Sequence, residues 1–358
     1  MITPEQLIEQ TTRHSVYLER LKTSDANEVL DLLRQIEDRL IGRLSRSNVT
    51  EWSRARLERQ IAAIRASLNE QYADLVLAKL DEQVRELAAY ETEFEKRSLE
   101  QVVNYQFTLP EPNQVITAVL AAPLSISGPD GGKLLETFIE DWTSDQVSRA
   151  SNAIRAGYAQ GLTTPQIVRQ IRDEVIPTNR RTMSTVVRTA LAHVQAVSRE
   201  QVWESNQDII KRVRWTSTLD RRTSSQCRSL DGQVFKIGEG PRPPAHPGCR
   251  STTVAVLDER FSFLQEDAER FARDPETGQV GYVDANQTYY GWLKRQPGEV
   301  QDSIIGPTRG KLLRDGGLTS QRFAELQLGK QFQPLTLAEM RDLEPLAFTR
   351  AGLERQQQ

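Results

Sequence analysis

Apolar residues recur at three- and four-residue steps through much of the chain, and that spacing predicts helices. Val29, Leu30, Leu33, Ile36, Leu40, Ile41 and Leu44 form one stripe. Ile61, Ile64, Leu68, Tyr72, Leu75, Leu80, Val84, Leu87 and Phe94 form a second, with charged residues between. Thr3-Pro4-Glu5 has the order of a helix start: hydroxyl cap, proline, acid. Residues 45–50 read as the connection, with Thr50 or Ser53 to cap the second helix. Residues 1–103 therefore read as a long helical hairpin. Its second stripe approaches a coiled-coil seam, but the register drifts between Leu75 and Leu80.

The rhythm breaks at 104–132, where Pro110, Pro112, Pro123, Pro129 and Gly131-Gly132 interrupt short apolar runs. An irregular linker arm, draped over a neighbouring surface, is expected there. Helices resume at 133–160. Thr164 and Pro165 then start another, with Ile167, Ile171 and Val175 on its buried side and Pro177 as its stop. Residues 179–206 repeat the helical pattern around Val186, Val187, Ala190, Leu191, Val194 and Val197. Arg180, Arg181, Arg188 and Arg199 give that helix a basic side, a candidate contact for DNA or a partner. His193 lies in its apolar run, where a structural role is expected.

Period-two patterning appears only later. Residues 214–218 and 232–237 read as paired strands with Asp231-Gly232 turning between, and 251–257 as a third. Residues 259–274 read as an amphipathic helix presenting Phe261, Phe263, Leu264 and Phe271, and 275–281 as a turn. Tyr289, Tyr290 and Trp292 suit a core cluster, and Ile305-Gly306-Pro307 a corner. Thr336 with Glu339 reads as the capping box of a last helix, and 346–358 as a flexible tail. The expected class is predominantly α, α+β: a helical hairpin, then a small antiparallel sheet packed on helices.

At 358 residues, two or three units are the natural prior. Charged residues make up 27% and net charge is −3, which hides a contrast. Residues 1–100 carry 15 Lys/Arg against 19 Asp/Glu, and residues 178–260 carry 14 against 8. The basic block faces nucleic acid, an acidic protein surface, or simply its own neighbours. No basic-then-apolar leader opens the chain, and no apolar run approaches a membrane span. Two cysteines make no disulfide framework, so a reducing cytoplasm is expected during folding.

Both cysteines, Cys227 and Cys249, fall between Trp215 and Thr252, together with His246. These are soft ligands for one zinc ion, but structural zinc usually takes four donors. Asp220 is the candidate fourth. A packed thiol pair, with His246 hydrogen-bonded to backbone, is the competing reading, and a Cys227–Cys249 disulfide a third. Cys227, His246 and Asp231 also have the composition of a nucleophile, base and orienting acid, although composition without geometry makes no triad.

Residues 188–201, 213–235 and 243–256 resemble the phage Mu F-like head morphogenesis family. The resemblance rests on Asp220, Arg222, Thr223, Cys227, Leu230, Asp231, Gly232, His246, Pro247, Cys249 and Arg250. It extends over roughly 135–345 through 296–323 and 335–343, placing a Mu F-like domain at 133–345. Family members often carry a further cysteine where Ser224 stands. The resemblance implies a structural minor head protein with no catalytic residues and no cofactor unless zinc. It would be made in the host cytoplasm and sit in the capsid near the portal vertex. Expected partners are the portal, major capsid or scaffold proteins and packaged double-stranded DNA, with no membrane. The rival class is a zinc-stapled DNA-binding module or a nucleic-acid-processing enzyme.

Overall fold

The computed structural model describes residues 4–257, 269–329 and 332–353. Helix α1, Pro4–Ser45, carries the first stripe, and Thr3 lies outside the described residues. Helix α2, Arg54–Gln71, starts at Ser53, whose Oγ accepts from the Arg56 amide at 3.3 Å. A π turn at Tyr72–Leu77 carries the rod into α3, Ala78–Val102. That turn explains the drifting register. Leu68, Tyr72, Val76, Leu80 and Val84 are all buried at four-residue steps, which the wider π pitch accommodates and a regular helix does not.

The expected irregular arm contains a helix. Helix α4, Pro112–Ala121, has Pro112 in its first turn and buries Val115 and Val119 against α7. Pro112 starts this helix because the first-turn amides need no intrahelical acceptor. Beyond it the chain folds back on itself. The Leu124 amide donates to Lys133 O at 2.8 Å and the Gly132 amide to Leu124 O at 2.9 Å, with Leu124 and Ile126 buried. This part does drape over a neighbour, the Ser127 amide donating to Ala245 O at 2.9 Å.

Helix α5, Leu135–Ala159, leads to α6, Thr164–Gln170. Its cap is Thr163, one residue earlier than expected, in a capping box with Gln166. The Thr164 hydroxyl instead accepts from the Val49 amide at 2.8 Å. Pro177 stops nothing. A π turn at Ile171–Val175 runs straight into α7, Ile176–Glu204, with Pro177 in the first α-helical turn. The widened turn removes the clash proline would make in a regular helix interior. One apolar core runs from Leu18 to Val197 through α1 to α7, without a seam at residue 103 or 132.

Strand β1, Ile210–Thr216, is central in an antiparallel sheet of order β2-β1-β3, and the short helix α8, Ser225–Leu230, precedes β2. Strand β2, Val234–Lys236, pairs Phe235 with Val213, and β3, Thr252–Leu257, pairs Ala255 with the same residue. The helix expected at 259–274 is corrected. Residues 258–268, with Phe261, Phe263 and Leu264, lie outside the described residues, and Glu269–Arg273 is strand β4. It pairs with β5, Val280–Asp284, through a turn in which Asp274 Oδ1 accepts from the Glu276 and Thr277 amides. Alternation at Arg270 and Ala272, both buried, is the strand signal that the flanking phenylalanines obscured.

Helices α9 (Tyr289–Lys294), α10 (Gly298–Ile305), α11 (Pro307–Asp315), α12 (Ser320–Glu325), α13 (Leu337–Leu343) and α14 (Pro345–Arg350) close a second core. Tyr289, Tyr290 and Trp292 sit inside it, and Thr336–Glu339 forms the expected capping box. The tail starts later than expected, since α14 buries Ala347 and Phe348; residues 354–358 lie outside the described residues. No described helix is long and apolar enough to cross a membrane.

Candidate functional site

The chain leaves β1 into a turn organised by Asp220. Its Oδ1 accepts from the Arg222 and Thr223 amides at 2.9 and 3.1 Å. Arg250 closes a two-point ion pair at 2.6 and 2.7 Å. Burial raises this carboxyl's pKa, but Arg250 and the amides outweigh burial and hold it below its usual range. Asp220 is thus fully engaged, and the expected fourth metal ligand is corrected to a partner of Arg250. Ser224 then caps α8, its Oγ accepting from the Cys227 amide at 3.2 Å. The Arg222 side chain points outward, 74% exposed.

Asp231 is a second knot. Its Oδ1 accepts from the Ser217 amide at 2.6 Å, and Oδ2 from the Tyr289 amide at 2.7 Å, at the start of α9. Arg270 of β4 reaches both oxygens at 3.2 Å and also donates to Gln287 O. One carboxylate therefore joins β1, β4 and α9, with Leu230 buried beside it. Gly232 follows at φ +84°, and a Cβ there would stand 2.7 Å from Thr288 Cγ2. The partners of Asp231 exclude it as the orienting acid of His246, so the residues of the conceivable triad are not arranged as one.

Cys227, His246 and Cys249 do come together. Cys227 Sγ lies 3.3 Å from His246 Nε2 and 3.6 Å from Cys249 Sγ. All three donor atoms fall within 4.8 Å of one another. Trp215, Leu230 and Ala245 pack around the thiols. The closing loop is pinned by the Gly248 amide on Thr189 Oγ1 and the Cys249 amide on His246 O, both at 3.1 Å. The exposed Pro247 lends its carbonyl to His246 Nδ1 at 3.1 Å. A carbonyl only accepts, so Nδ1 carries a proton and Nε2 faces the sulfurs.

Charge is shared unevenly in this cluster. The hydrogen bond from Cys227, reinforced by His246, pulls the Cys249 thiol well below its ordinary pKa despite burial. The same bond, with burial, pushes Cys227 well above, and Cys249 raises His246. Two sulfurs and an imidazole nitrogen turned toward one another, with one thiol made more acidic, are the soft donors that a cation such as zinc takes up. Three donors are present, and a cavity of about 20 Å³ beside Cys227 and His246 leaves room for one water as a fourth. Zinc fits this donor set.

The four arginines of the basic helix are placed differently from one another. Arg180 donates to Glu37 at 2.6 and 2.9 Å, Arg188 to Glu19 at 2.9 Å, and Arg181 is exposed. Arg199 is corrected as a surface contact. It is 1% exposed and bound to Glu95 at 2.7 Å, with Trp203 Nε1 on the other carboxylate oxygen at 2.6 Å. Three of the four thus pair with acids of α1 or α3, Glu37, Glu19 and Glu95. His193 is the structural residue expected, Nε2 at 3.0 Å from Val119 O, with burial pulling its pKa to about 4. Sequence reasoning missed Arg270 and Glu95. Arg270 was hidden in a segment read as helix, and Glu95 looked like one more solvated charge.

Residues 149–254 match the family described as Phage Mu protein F like protein, a segment running from α5 into β3. The match holds the Asp220–Arg250 knot, Asp231 and the thiol cluster, whereas Arg270 and Tyr289, which complete the Asp231 knot, lie beyond it; this segment is similar to the Mu F family. It is narrower than the resemblance at 135–345. An uncharacterized protein of Haemophilus influenzae is 27% identical over 124 residues, covering 34% of this chain and 27% of that protein. The chain thus aligns with about a quarter of that relative's length. No solved structure matches.

Proposed function

We propose that this Mu F-like chain is a bacteriophage minor head protein, a structural part of the virion that binds the portal inside the capsid. It assists head assembly, near the portal vertex, alongside the major capsid or scaffold proteins, and has a role in packaging or ejecting the double-stranded genome. The observation that carries the reading is the Mu F-like match of residues 149–254. The geometry agrees with a non-catalytic role. Asp220 with Arg250 and Asp231 with Arg270 satisfy one another and brace the sheet, leaving neither carboxylate for chemistry.

The test is co-expression of the full chain with the portal protein of the same phage. A stable complex on size exclusion is expected, and separate elution at every salt concentration overturns the reading. Contact with DNA phosphates must weaken steeply as salt rises, so salt-insensitive DNA binding removes that part.

A second reading has one observation in its favour. The convergence of Cys227, His246 and Cys249 within 4.8 Å supports one bound zinc ion that staples α8 to the closing loop. Metal analysis of protein purified without chelator should give about one zinc per chain, and metal-free folded protein would remove the staple.

A further inference from the structure

A groove of about 480 Å³ lies between α1 and the exit of β1, and the head-protein reading makes no use of it. Five arginines line it against two carboxylates, Glu19 and Asp220. Arg188 pairs with Glu19 and Arg250 with Asp220, which neutralises both acids. Three guanidinium groups remain. The guanidinium groups of Arg20 and Arg273 have no hydrogen-bond or ion-pair partner among the described residues, and exposed Arg222 stands 3.7 Å from a carboxylate that Arg250 already holds.

The groove also has a buried polar atom without a partner. Thr216 is 3% exposed and lines the groove, and its Oγ1 has no hydrogen-bond partner. Buried polar atoms are normally paired, and of those left unpaired among the described residues this one borders the groove. Val16 and half-buried Phe271 add an apolar side.

We propose that this groove binds a small phosphorylated ligand of nucleotide size, its phosphates held by Arg20, Arg222, Arg273 and Thr216 and its flat apolar part against Phe271. Guanidinium forks match phosphate oxygens two at a time, and three of them exceed what the two oxygens of one carboxylate can use. The volume falls within the roughly 300–1,000 Å³ of small-ligand sites. It suits one nucleotide rather than a stretch of duplex. The site does not depend on the head-protein reading.

Titration calorimetry on the full chain tests this, with ADP and inorganic pyrophosphate as probes and a chelator present to exclude metal-held phosphate. Saturable binding of both is expected, ADP the tighter through Phe271. Arg222→Ala with Arg273→Ala should weaken ADP by at least about tenfold, with an unchanged melting temperature. Arg20→Ala, from a separate element, should weaken it as well. Absence of saturable binding by either probe overturns the site. So does affinity unchanged in folded variants, or binding by a duplex DNA fragment alone.

Discussion

At the scale of single residues, the Mu F-like motif is a set of buried polar knots. Asp231 satisfies two backbone amides and the 3%-exposed Arg270 together. Asp231→Ala strands that guanidinium and should cost about 3–5 kcal/mol in chemical denaturation, as removing one partner of a buried pair does. Gly232→Ala should cost about 1–2 kcal/mol in the same assay, from positive φ and the approach to Thr288. His193 gives a pH signature. Its folded pKa of about 4 lies below the unfolded value near 6.5, so the unfolded chain binds the extra proton. The stabilisation is complete above pH 6.5 and declines as pH falls toward 4, by about 3 kcal/mol in total. Melting curves across that window should show a shallower decline for His193→Asn than for the native chain; equal slopes contradict it. The motif residues were legible as a cluster, because soft ligands and turn formers crowd there. Their partners were not, since Arg270 and Tyr289 are brought in from after the sheet by tertiary folding.

At the scale of elements, legibility tracked whether position or composition set the outcome. Stripes at Val29–Leu44 spacing and the Thr336–Glu339 box read directly, because local geometry alone decides them. Prolines misled, since Pro112 and Pro177 both stand in first turns, where proline is tolerated. The β4–β5 hairpin was missed because strand pairing is non-local and its phenylalanines mimicked a helical face. The corrected status of α4 is testable. Val119 is fully buried against the core and Leu120 is 39% exposed. Val119→Asp should lower stability by at least about 3 kcal/mol, and Leu120→Asp by less than about 0.5 kcal/mol. A loose arm would tolerate both.

At the scale of the whole molecule, three of the four arginines that made α7 look basic are used internally. Arg180, Arg188 and Arg199 of α7 each meet an acid of α1 or α3. The basic block is accordingly a weaker argument for DNA than its composition suggested, and the case for a head protein rests on the Mu F-like segment. The most direct measurement is quantitative mass spectrometry of phage particles purified through a density gradient and treated with protease on the outside. A minor head protein is expected in the particles, protected and at low copy relative to the major capsid protein. Its absence from particles, with the chain recovered only in the soluble lysate, would overturn the head-protein assignment.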